Sequence, residues 1–172
     1  MRGKSRTIYK IIFNIPTVIT VLLAFLLCGL QFFGLKPYSV LSGSMASVYP
    51  TGSLIYVAEA DPAQLKVDDI ITFRMTSGTV ATHRIVELVS DETQPEIIRF
   101  RTKGDENEIA DAPLVDFSSV IGTPLFGIPY LGYLAAYIMT TKGKIVAFTV
   151  LAAITLLELI INIVVGDKKE KE

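Results

Sequence analysis

Residues 11–33 form a run of 23 positions without a charged side chain, set directly behind four basic ones, Arg2, Lys4, Arg6 and Lys10. An α-helix rises about 1.5 Å per residue, so a run of this length crosses a hydrocarbon core of about 30 Å. The basic flank predicts a cytoplasmic N-terminus. A cleaved secretory leader also begins with positive charge, but its apolar stretch is usually about 7 to 15 residues long and ends in small residues. This run is longer and has no such exit, and Leu26-Leu27 before Cys28 are too large for a lipoprotein junction. The sequence therefore predicts a retained anchor.

A second run, residues 145–165, holds one charged residue, Glu158, and precedes the tail Asp167-Lys168-Lys169-Glu170-Lys171-Glu172. With the first helix leading outward, a second span returns the chain to the cytoplasm. An ionisable group in lipid is costly, so Glu158 reads either as a partner contact or proton site, or as a neutral acid bonded within its own helix. Residues 125–139 are apolar but carry Gly127, Pro129, Gly132, Tyr130, Tyr133 and Tyr137. That mixture predicts a bend before a short helix at the lipid–water interface, with a buried helix of the central domain as the alternative.

The stretch between the runs has a different character. Residues 36–141 carry seven basic and thirteen acidic side chains, whereas residues 1–35 carry four basic and none acidic. An acidic centre excludes binding to nucleic acid through phosphate neutralisation. Short β-type runs at 54–57, 69–74, 80–89 and 97–102 alternate with turn formers such as Pro50-Thr51-Gly52, Ser77-Gly78 and Lys103-Gly104-Asp105. The expectation is a mainly β protein, with a compact antiparallel β domain over 36–124. A basic tail and transmembrane helix (1–35) precede it; an apolar interfacial segment (125–144) and a C-terminal transmembrane helix with its tail (145–172) follow.

Chemistry has few places to reside in that domain. The single cysteine, Cys28, lies in the first apolar run, which removes thiol catalysis and any internal disulfide. One histidine and no His-Glu-x-x-His pattern leave zinc without ligands, and the acidic stretch 103–111 lacks the glycine and ligand spacing of a calcium loop. What remains is a serine and a base. Ser42-Gly43-Ser44-Met45 lies about ten residues beyond the first run, and His83, in Ala81-Thr82-His83-Arg84-Ile85, is the one imidazole able to activate a hydroxyl near neutral pH. Strand alternation places His83 and Ala81 on the face of Ile85, with Thr82 and Arg84 on the other. Asp105 and Asp111 follow the glycine turn, and either carboxylate can orient an imidazole.

Taken in order, the N-terminal anchor, Ser42-Gly43-Ser44-Met45, Asp69-Ile70-Ile71-Thr72-Phe73, His83-Arg84 and Lys103-Gly104-Asp105-Glu106-Asn107 resemble the type I signal peptidases. Histidine before Arg84, where many bacterial members have lysine, resembles the endoplasmic-reticulum and archaeal serine–histidine branch and, within it, the Firmicute SipW-type enzymes. The resemblance implies a signal-peptidase or LexA-like β fold and a membrane-bound serine endopeptidase. Its partners would be signal-peptide-bearing preproteins, which it would cut after small residues, together with the lipid bilayer and the secretion machinery; its catalytic domain would lie at the extracytoplasmic membrane face, with both termini cytoplasmic.

The same resemblance implies Ser44 as nucleophile, His83 as general base, Asp111 as the carboxylate orienting His83, and Asp105 as a second required acid. It also implies an oxyanion hole from the Ser44 N–H and the Ser42 hydroxyl, and neither metal nor organic cofactor. Two departures stand out: Ser44-Met45-Ala46-Ser47 replaces the usual Ser-Met-Glu-Pro, and Gly52-Ser53 replaces Gly-Asp. The alternatives are a non-catalytic accessory subunit of a translocation or peptidase complex, whose effect would survive Ser44→Ala, and a serine peptidase devoted to one partner.

Overall fold

The computed structural model describes residues 2–90 and 98–167; for residues 2–14, 158 and 161–167 it describes the backbone alone. The chain divides into two compact units, one of residues 30–136 and one formed by the two ends of the chain, 1–29 and 137–172.

The larger unit is a curled antiparallel sheet of seven strands. These are β1 (Lys36–Ser39), β2 (Leu54–Ala58), β3 (Ile70–Arg74), β4 (Val80–Ser90), β5 (Ile98–Lys103), β6 (Val115–Asp116) and β7 (Val120–Ile128), in the spatial order β1-β2-β7-β3-β4-β5-β6. The long strand β7 serves both halves. Residues 123–128 pair with β2, and Gly122 and Val120 pair with β3. At the change of partner Gly122 has φ +152°, and a Cβ there would run into the carbonyl of Ala58. Only glycine permits that approach. Pro124 sits where the β2–β7 register shifts, a place at which a missing N–H is tolerated.

Burial follows the sequence pattern. Leu54, Ile55, Tyr56 and Val57 of β2 are all buried, as expected of a strand flanked by β1 and β7 and covered on both faces. Leu65, Ile71, Phe73, Ile85, Phe100 and Val115 form the core under β3, β4 and β5. Side chains of this size stabilise by about 1.5–3 kcal/mol each when fully buried. Register fixes which polar groups share that face. His83 lies opposite Ile71, and Thr102 lies opposite Ile85. Cross-strand partners point to one side, so His83, Ile85 and Thr102 do so together.

The four expected strands are present with shifted ends, although Ile97 lies outside the described residues. The sheet also continues past residue 124. Leu125 to Ile128, expected as an interfacial segment, complete β7 because β2 presents Leu54 to Tyr56 as their partners. The bend and short helix do follow, as Tyr130 at φ +64° leads into α2 (Leu131–Met139). In the other unit, α1 (Arg2–Leu27) ends earlier than the apolar run, which continues as a 3-10 turn over Gly29–Phe33, and α3 (Thr141–Asp167) is the last helix. Glycine at 29, with little helix propensity, marks the change. Among the described residues no single helix is long and apolar enough to cross a membrane. Ile15–Leu27 is a shorter apolar helix, and α2 with Thr141–Leu157 of α3 forms a bent pair that reaches the required length and composition. Glu158 lies on α3 with its side chain outside the described residues.

Candidate active site

Three separate segments of the larger unit meet at His83. The first is the turn between β1 and β2. After Ser44 the chain folds back on itself, with the Ala46 N–H donating to the Gly43 carbonyl (3.1 Å) and the Tyr49 N–H to that of Met45 (2.7 Å). Met45 is buried beneath this turn, leaving the Ser44 hydroxyl at the surface of a cleft. The second segment is β4, which carries His83 on its inward face with the ring edge-on to Phe73 at 6.2 Å between centroids. The third runs from Thr102, near the end of β5, through a loop to Asp111.

Their side chains form one hydrogen-bonded series. Ser44 Oγ lies 3.0 Å from His83 Nε2, and His83 Nδ1 lies 2.6 Å from Asp111 Oδ2. The His83 and Asp111 side chains are 13% and 23% exposed, so the pair is shielded from most competing water while remaining reachable from the cleft. Thr102 donates its hydroxyl to the same Asp111 oxygen at 2.6 Å. Ser42 Oγ lies 3.2 Å from Ser44 Oγ. A carboxylate at Nδ1 favours the tautomer whose free Nε2 lone pair faces the hydroxyl, and this arrangement can accept the serine proton as the oxygen becomes a nucleophile.

Asp105 occupies a different place. His83 and Arg84 are consecutive on a strand and point to opposite faces; Arg84 reaches Asp105 through Nε–H to Oδ1 (2.9 Å) and Nη2–H to Oδ2 (2.7 Å), and the Asp68 carbonyl through Nη1–H (2.8 Å). The hydrogen bonds from Arg84 hold the Asp105 carboxyl below its ordinary range, and Asp105 in turn raises Arg84. The structure thus brings Ser42, Ser44, His83 and Asp111 together and sets Asp105 one contact away, on the loop that carries Asp111.

That loop also grips the turn that carries Ser44. The Glu106 N–H donates to the Ser44 carbonyl (3.0 Å), the Asp105 N–H points at Met45 Sδ (3.3 Å), and Glu106 Oε1 accepts the Ser47 N–H (3.1 Å). Gly104 makes the approach possible, because a Cβ there would lie 2.7 Å from the Ser44 carbonyl oxygen and 2.8 Å from Ser44 Cβ. In the sequence Glu106 is one acid of the stretch 103–111, and Thr102 closes the β-type run 97–102. Neither carries a local signal for its contact, which depends on strand register.

The cleft beside Ser44 has a volume of about 450 Å³ and runs between Tyr38 to Leu41 on one side and Val80 to His83 on the other. Residues of β1 and β4 line it together with apolar Ile55 and Met75 and polar Ser42, Thr82 and Asn107, a form suited to an extended peptide. Among the described residues no cluster of His, Cys, Asp and Glu could hold a metal ion.

No family profile matches the chain. Among curated proteins it is similar to signal peptidase I W of Bacillus subtilis (strain 168), with 41% identity over 121 residues, 67% of this chain and 62% of that protein. It is also similar to the human signal peptidase complex catalytic subunit SEC11C, with 28% identity over 129 residues, 69% of this chain and 66% of that one. The match to the human putative signal peptidase complex catalytic subunit SEC11B is 28% over 105 residues, 56% and 62% of the two chains. In each case the chain spans just under two thirds of its relative's length.

Proposed function

The chain is a homologue of the type I signal peptidases, related both to the Bacillus enzyme and to the SEC11 subunits, and we propose that it is a membrane-bound serine endopeptidase that removes signal peptides from exported preproteins. The observation that carries this reading is the series from Ser44 through His83 to Asp111, at 3.0 and 2.6 Å, opening on a cleft that fits an extended chain. In the reaction His83 Nε2 takes the Ser44 proton while Oγ attacks the scissile carbonyl carbon. Asp111 stabilises the imidazolium, and the backbone N–H of Ser44 with the Ser42 hydroxyl receives the oxyanion. His83 then protonates the leaving amine. Water repeats the sequence on the acyl-enzyme and restores Ser44. Asp105 contributes through the loop that Arg84 holds in place, without a share in proton transfer.

Membrane attachment belongs to the same proposal. In it the apolar part of α1 (Ile15–Leu27) and the bent pair of α2 and α3 sit in the bilayer, both termini lie in the cytoplasm, and the β domain faces the other side. Exposed apolar side chains on those helices, among them Val18, Val21 and Phe148, support lipid contact, and exposed Phe32, Phe33, Tyr130 and Tyr133 suit an interfacial position for the β domain's ends. Cleavage of a preprotein in liposomes, comparing wild type with Ser44→Ala, tests the reading. Loss of the mature product in the variant is expected, and undiminished product would overturn it.

A further inference from the structure

Thr102 is the second-last residue of β5, before the acidic loop, with none of its surface exposed. A hydroxyl so enclosed needs a partner, and its partner is Asp111 Oδ2 at 2.6 Å, the oxygen that also meets His83 Nδ1 at 2.6 Å. The backbones of the same two residues are joined as well, the Asp111 N–H donating to the Thr102 carbonyl at 2.8 Å. Two bonds therefore close the base of the loop 103–110, the loop on which Gly104, Asp105 and Glu106 touch the nucleophile's turn.

We propose that Thr102 is a positioning residue for His83, acting through Asp111, an inference that rests on the peptidase reading above. Its O–H fills one lone pair of Oδ2 and fixes the carboxylate's rotation. With the hydroxyl proton already directed at that oxygen, the other bond to it is made by a proton on Nδ1. Nε2 is then left unprotonated toward Ser44, which is the tautomer a general base requires. Thr102 itself gains and loses no proton during the reaction. Valine has the same shape without the hydroxyl, and serine keeps the hydroxyl without the methyl group, so the pair separates bonding from packing.

The test is steady-state preprotein cleavage by the full-length protein in liposomes for wild type, Thr102→Val, Thr102→Ser and Ser44→Ala, with thermal unfolding of each. Bonds to charged partners are worth enough that Thr102→Val should lower kcat about tenfold or more, with KM within about twofold of wild type. Thr102→Ser should keep kcat within about threefold. A Thr102→Val protein that melts lower yet turns over at the wild-type kcat would overturn the proposal and reduce Thr102 to packing. Should Thr102→Val not fold, Thr102→Ser decides: retained kcat supports the assignment, and a loss of tenfold or more contradicts it. Activity in Ser44→Ala would instead remove the peptidase reading itself, whatever Thr102 does.

Discussion

Arg84 holds Asp105 through both carboxylate oxygens, at 2.9 and 2.7 Å, on the face of β4 opposite to His83. One strand thus organises the site twice, through the imidazole on one side and through the loop anchor on the other. The Asp105 carboxyl titrates below its ordinary value of 3.8 because Arg84 bonds the charged form. A lowered folded-state pKa stabilises the protein above the unfolded value and ceases to do so as pH falls through the folded one. Asp105→Asn should therefore lower the melting temperature at neutral pH, by a free energy on the order of 1 kcal/mol. The gap from wild type should begin to narrow near pH 3.8 and close as pH falls through the lowered folded-state value. Melting curves across that range check it; a gap that persists at the acid end would contradict the assigned cause.

Glu106 Oε1 accepts the Ser47 N–H, at the position where the usual family motif has a proline and hence no N–H to offer. The departure in sequence thus comes with its own contact. Glu106→Gln retains an acceptor oxygen and should cleave within about twofold of wild type, whereas Glu106→Ala frees the turn behind Ser44 and should lose about three- to tenfold in kcat/KM. Equal rates for the two variants would show that the contact does not hold the turn.

Two glycines separate damage to the site from damage to the fold. Gly104→Ala places a methyl group against Ser44 and should reduce cleavage far more than it reduces melting temperature. Gly122→Ala meets the Ala58 carbonyl at a strained φ and should destabilise the β domain by on the order of 2 kcal/mol or more. Thermal unfolding measured beside activity distinguishes them.

Ser53 is buried at 1% exposure, and among the described residues its hydroxyl has no hydrogen-bond partner. It occupies the second departure, where the family motif has aspartate. Removing an unsatisfied hydroxyl relieves a desolvation cost, so Ser53→Ala should leave stability unchanged or raise it by up to about 1 kcal/mol. A fall in melting temperature would mean that the hydroxyl is bonded.

Much of this arrangement was legible in the chain. Alternation along β4 placed His83 with Ile85, and turn formers located β2 to β5. β1 was missed because Lys36-Pro37-Tyr38-Ser39 lacks a strand pattern, yet an edge strand tolerates proline. β7 was missed because Gly122, Pro124 and Gly127 resemble turns, whereas they mark a partner change, a register shift and a close approach to Ile55 and Tyr49. Asp105 and Asp111 lie six positions apart on one loop, and only folding assigns one to Arg84 and the other to His83.

The most direct measurement is the rate of preprotein cleavage by purified His83→Ala protein reconstituted in liposomes, beside wild type. Loss of the imidazole should lower kcat by at least about a thousandfold while the protein still folds and binds substrate. Cleavage at the wild-type rate would contradict the assignment of His83 as the base for Ser44.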